Sequence, residues 1–102
     1  MIFVAGTMNM NPAIMADFAC DVLAMRPKVL GEPGCHHYSL LAEDAATGLV
    51  NVMEVWENDD ALKVHFKTPW IIEFFGKYGR QMLASTVQVY DISGAPRPLP
   101  PM

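Results

Sequence analysis

VNVMEVWENDDALKVHFKTPWIIEFF, residues Val50 to Phe75, is the stretch from which the rest of the chain can be read. It begins as a strand rich in β-branched and large apolar residues and ending at Trp56. Asn58 can cap a helix by accepting from free backbone N–H groups, and Asp59 and Asp60 suit the positive end of that helix's dipole. Leu62, His65 and Phe66 recur at helical spacing on one face. Thr68-Pro69 then stops one helix and starts another: Thr caps, and Pro fits the first helical position, where its missing N–H costs nothing. Ile71, Phe74, Phe75 and Tyr78 form the apolar stripe of the second helix. One strand, a cap and two short helices thus bring Glu54, Trp56, His65 and Trp70 within reach of a single pocket.

Upstream, Ile2 to Met8 reads as a strand. Asn9 or Asn11 caps the following helix, with Pro12 just inside it. Ile14, Met15, Phe18, Val22 and Met25 make that helix's stripe, and Pro27 is expected to kink or end it. Glu32-Pro33-Gly34 is a turn, Cys35 to Glu43 a second strand, Asp44 to Gly48 a hairpin connection and Leu49 to Trp56 the third strand. The helical part ends at Gly79 or after Leu83, and Thr86 to Ile92 is the last strand. Residues 1–93 form one domain, and 94–102, rich in proline, an extended tail.

The order β-α-β-β-α-α-β predicts an α+β, ferredoxin-like (split βαβ) antiparallel sheet with helices on one face. The strands are apolar on both sides: Val50 and Val52 alternate with Leu49, Met53 and Val55, and Ile2 and Val4 with Phe3 and Ala5. An uncovered face should be polar. A homodimer packed sheet against sheet is the expected solution.

Composition narrows the partners. The 102 residues are 52% hydrophobic and 18% charged, which suits a folded domain without a membrane span. A formal net charge of −4 and no basic run exclude a nucleic-acid partner. The opening MIFVAGTMNM does not read as a secretory signal. With only Cys20 and Cys35, a cytoplasmic protein with two reduced thiols serving as core filler is expected.

His65 is the first candidate for chemistry, because a partly desolvated imidazole is a natural base near neutral pH. Its ordinary alternative is a core histidine satisfied by a carbonyl or carboxylate. Glu54, inside an apolar strand, is an acid/base or substrate-orienting group, or the structural partner of a Tyr, His or Arg. Trp56, Trp70 and Phe75 are expected cavity walls, and Tyr38 a group that could orient a substrate oxygen. His36 and His37 alternate across a strand, and a site built from His37, His65 and Glu54 would need the fold to converge them, so no metal is expected. No GxGxxG, P-loop, GxSxG or HExxH pattern is present, and no cofactor is expected.

The order EPGC at Glu32 to Cys35, Tyr38, EVWENDDAL, His65-Phe66 and Thr68-Pro69 resembles the antibiotic biosynthesis monooxygenase superfamily from Ile2 to Ile92. The resemblance implies a dimeric α+β barrel and a recurrent functional position at His65. The family's pigment-pathway oxygenases carry an Asn four residues before the strand-end Trp, a Tyr six after it and an Arg beyond. Here Val52, Leu62 and, loosely, Arg80 stand at those places. The haem-degrading branch uses an Asn, a Trp and an iron-ligating His where this chain has Thr7, His65 and Phe75. The nearer likeness is to small quinol monooxygenases and a related phosphosugar isomerase. It implies a cofactor-independent monooxygenase for a small aromatic quinol or phenol, with His65 and Glu54 catalytic and Trp56, Tyr38, Trp70 and Phe75 binding substrate. The alternatives are an isomerase of a small phosphorylated metabolite, using Lys67, Lys77 or Arg80 for the phosphate, and a non-catalytic dimeric ligand-binding module.

Overall fold

The computed structural model describes residues 1–102. Strand β1 (Ile2–Met10) leads through a 3-10 turn at Pro12–Ile14 into helix α1 (Met15–Leu30). Asn11 caps the turn, its side-chain oxygen accepting from the Ala13 N–H at 3.1 Å. Strands β2 (Cys35–Asp44) and β3 (Leu49–Trp56) form a hairpin, followed by α2 (Asp59–His65), α3 (Pro69–Tyr78), β4 (Met82–Ser85) and β5 (Gln88–Asp91). The antiparallel sheet has the order β2-β3-β1-β4, with β5 also on β1. This is the ferredoxin-like arrangement.

Register explains which residues meet. Ile2, Val4 and Gly6 lie opposite Trp56, Glu54 and Val52, and Tyr38 and Leu40 lie opposite Glu54 and Val52. Because side chains alternate along a strand, these residues share the face that the helices cover. Met15, Phe18, Val22, Met25 and Val29 of α1 pack there with Ile71, Phe74 and Tyr78 of α3. Phe18 joins the two helices, its ring 5.5 Å from that of Phe74 and 5.3 Å from that of Tyr78.

Helix α1 does not end at Pro27 but continues to Leu30. An interior proline costs about 3 kcal/mol. Pro27 sits on the exposed side, while the extra turn buries Val29 completely, and burying such a side chain contributes roughly 1.5–3 kcal/mol. Thr68 occupies the N-cap of α3 without capping it through its side chain; its hydroxyl instead donates to the His65 carbonyl at 2.8 Å. Cys20 is exposed rather than in the core, and Cys35 is half-buried.

The expected last strand, Thr86 to Ile92, is observed as β5, and a further strand, β4, precedes it where the end of the helical part was expected. The break at Thr86-Val87 falls opposite Gly6, whose φ is +149°, and a Cβ there would meet the Val87 Cα at 2.7 Å. The chain crosses so close to β1 that only glycine fits. Thr7 and Thr86 bridge the gap, the Thr7 N–H donating to the Thr86 hydroxyl at 2.9 Å and the Thr86 N–H to the Thr7 carbonyl at 2.8 Å.

The face away from the helices is open and apolar. It carries Phe3 and Ala5 beside Val55 and Met53, with Tyr90 opposite Phe3; Met53 is 48% exposed. The expected barrel is corrected. The sheet runs from β2 at one edge to β4 and β5 at the other and does not close on itself, because both C-terminal strands pair with β1 and neither reaches β2. No helix is long and apolar enough to cross a membrane.

Candidate active site

The turn after α1 builds one side of the site. Gly34 has φ +79°, and a Cβ on it would stand 2.8 Å from the Ala61 Cβ, so glycine lets the turn lie directly on α2. The Gly34 carbonyl accepts from the Glu57 N–H at 2.8 Å, fastening the turn to the β3–α2 connection. That contact delivers Glu32 to His65. Gly34→Ala is expected to cost about 1–3 kcal/mol through the strained φ alone, read as a lower urea midpoint. An unchanged midpoint would mean that the turn does not need this close contact.

The other side comes from β3 and α2. Asn58 caps α2 by accepting from the Ala61 N–H at 2.9 Å, which sets the helix phase so that Leu62 and His65 point inward. His65 is 2% exposed. Its ring centroid lies 4.7 Å from that of Trp56 and 5.6 Å from that of Tyr38. Its Nδ1 lies 3.0 and 2.9 Å from the two carboxylate oxygens of Glu32. An ionised carboxylate only accepts, so Nδ1–H donates, and when the ring is neutral Nε2 is its acceptor. No protein group bonds Nε2.

Glu32 also accepts from the Trp70 Nε1–H at 2.9 Å. Glu54 makes a parallel pair, accepting from the Trp56 Nε1–H at 2.9 Å. Its structural partner is therefore the indole two residues along its own strand, rather than a Tyr, His or Arg. Burial pushes the Glu54 carboxyl from 4.5 up to about 7; the Trp56 hydrogen bond opposes this and the negative charge of Glu32 adds to it. Glu54 is therefore a mixture of acid and carboxylate near neutrality. Burial, then the charges of Glu54 and Glu32, push the Tyr38 phenol up, keeping it protonated. The Cys35 thiol is pushed up to about 11, first by burial and then by the same two carboxylates, so it is a poor nucleophile.

The fold thus gathers Glu54, Trp56, His65, Tyr38 and Trp70. Phe66 and Phe75 are 51% and 47% exposed. Their rings are 6.4 Å apart, with Phe66 5.6 Å from the His65 ring, so Phe75 is a rim residue. Glu32 was absent from the expected set, since a Glu beside Pro-Gly reads as a solvated turn. A signal was nonetheless available, because a carboxylate followed by Pro-Gly at a helix exit can be folded back under the helix. His37 faces the open side of the sheet opposite Val55, and His36 bonds Glu57 at the surface at 2.6 Å. No three His, Cys, Asp or Glu side chains converge into a group that could hold a metal. Of the candidate phosphate-binding cations, Lys77 is engaged by Asp21 at 2.7 Å. A cavity of about 230 Å³ between α1 and α3 is lined by Asp21, Lys28, Trp70 and Lys77 among others, so Trp70 stands between it and Glu32.

The class is that of an antiparallel α+β sheet with its helices on one face. The profile of the antibiotic biosynthesis monooxygenase family matches residues 1–76, and the chain belongs to that family. A Caulobacter crescentus protein provisionally assigned as an antibiotic biosynthesis monooxygenase is 30% identical, with 91% of this chain and 90% of that one covered and a TM-score of 0.78. A Deinococcus radiodurans structure with the same provisional assignment shares the fold at TM-score 0.80 and 17% identity, covering 98% of this chain and all of that one. The uncharacterised protein sll1783 of Synechocystis is 31% identical over 94 residues, 90% of this chain, which spans 63% of that protein's length.

Proposed function

We propose that the chain is a monooxygenase that uses no cofactor and oxidises a small aromatic quinol or phenol with O₂. The observation that carries this reading is the buried His65, whose Nδ1–H is tied to Glu32 and whose Nε2 is left as an acceptor. Nε2 takes the phenolic proton, and the electron-rich ring carbon forms a C–O bond with O₂. The O–O bond then breaks, one oxygen remaining on the ring and the other leaving as water. The four electrons come from the quinol, which ends as a hydroxyquinone. Glu54, protonated in part near neutrality, supplies a proton to the departing oxygen. On this reading Trp56, Tyr38 and Trp70 bind the substrate ring, and the exposed Phe66 and Phe75 give it an apolar approach. The test is oxygen uptake with a panel of small quinols and phenols; no uptake above the uncatalysed rate with any of them would overturn it.

One observation favours a second reading. His65 is almost wholly enclosed and its Nδ1 is satisfied, as a structural pair would be. The domain would then bind a small ligand without transforming it, and the uptake assay separates the two.

The apolar open face supports a homodimer packed through the sheets, Phe3, Met53 and Tyr90 at its centre. Sedimentation at micromolar concentration is expected to give twice the chain mass of 11.3 kDa. Met53→Glu should shift it to monomer, because an unpaired carboxylate in an apolar interface is costly. A parent protein that sediments as one chain would sink this assembly.

A further inference from the structure

We infer that Glu32 and Trp70 are positioning residues for the proposed base: Trp70 holds the Glu32 carboxylate, and Glu32 holds His65 in the tautomer that leaves Nε2 bare. The inference rests on the proposed oxygenase reading for its consequence in catalysis, but its geometry stands separately. Glu32 is 7% exposed and lies in an irregular turn, where backbone alone would not fix a side chain. Its partners are the imidazole Nδ1, on both oxygens, and the Trp70 indole at 2.9 Å. The two come from α2 and α3, so the carboxylate clamps both helices. Tyr38, Trp56 and Phe66 surround the His65 ring by aromatic contact alone. Aromatic packing fixes the plane of an imidazole but does not distinguish its two nitrogens; the hydrogen bond to Glu32 does. The other charged group of the cluster, Glu54, is engaged by Trp56 and is not bonded to His65. Tautomer selection therefore falls to Glu32.

The experiment reads the tautomer directly, by ¹⁵N NMR of the histidine ring nitrogens, with the His65 signals assigned by difference from His65→Gln. In the parent, the neutral ring should show a protonated Nδ1 and a bare Nε2. Glu32→Gln can donate its amide N–H to Nδ1 as well as accept from it, so a mixture of tautomers is expected. With it, kcat should fall by roughly tenfold or more at unchanged KM, a part of the ~10²–10⁴ that a general base contributes. Trp70→Phe keeps the ring but removes the donor, and should move both readouts the same way by a smaller factor. Tyr78→Phe, which breaks a bond from the far end of α3 to Asp21 on α1, should leave tautomer and kcat unchanged. If Glu32→Gln and Trp70→Phe only lower the melting temperature, with the tautomer and the turnover of folded protein as in the parent, the inference is overturned. If the parent consumes no oxygen with any quinol, the oxygenase reading fails while the NMR spectra still decide the positioning.

Discussion

Replacing His65 by Gln is expected to lower quinol-dependent oxygen consumption roughly 10²-fold or more, the scale of a lost general base. The imidazole is enclosed by Trp56, Tyr38 and Phe66 and bonded to Glu32. A Gln at this position can keep the bond to Glu32 through its amide N–H and fill most of the ring's volume. It offers no basic nitrogen, so chemistry is lost while packing is largely kept. His65→Ala removes the ring and leaves the buried Glu32 carboxylate with the Trp70 indole as its remaining donor, which adds a loss of stability of about 1–3 kcal/mol. The two variants together separate catalysis from folding. Folded His65→Gln protein with the parent's specific activity would reject the catalytic role.

The second large effect is one of pH on stability, at Glu54. Its folded carboxyl lies at about 7 against an ordinary 4.5, so the folded state favours the protonated form. Below about 4.5 both states hold the proton and Glu54 costs nothing. As pH rises through the interval to 7 the unfolded chain ionises first, and stability is lost until the folded carboxyl has ionised too. At ~1.4 kcal/mol for each tenfold in proton affinity, the penalty at alkaline pH is about 3 kcal/mol. Glu54→Gln keeps an acceptor for the Trp56 indole and cannot ionise. It should therefore be more stable than the parent by about that amount in urea at about pH 8, with the difference gone by about pH 4. A difference independent of pH would mean that burial does not hold this carboxyl neutral. Under the proposed mechanism the same variant lacks the proton donor, so it should be more stable and less active.

Much of the architecture was written in local chemistry. The run of β-branched and large apolar residues from Leu49 to Trp56 marks β3, and its observed bounds coincide with the expected ones. Asn58 followed by Asp59 and Asp60 sets the start of α2 and hence the inward phase of His65. These signals survive because they depend on neighbours within a turn or a strand, where the backbone's hydrogen bonds and side-chain direction leave little choice. The apolar open face is legible for the same reason, since a period of two assigns each residue to a side.

Tertiary structure decided the rest. Pro27 breaks a helix in isolation, yet α1 runs through it because Val29 is buried against the sheet. Phe66 and Phe75 fit apolar helical stripes, yet both are about half exposed. Glu32 reads in sequence only as part of a turn. It is buried because Gly34 admits the turn onto Ala61, and because His65 and Trp70, from two later helices, supply the donors that an enclosed carboxylate requires. Local sequence placed the imidazole on the inner face of its helix; only the packing of a turn, distant in the chain, decided which of its nitrogens is bare.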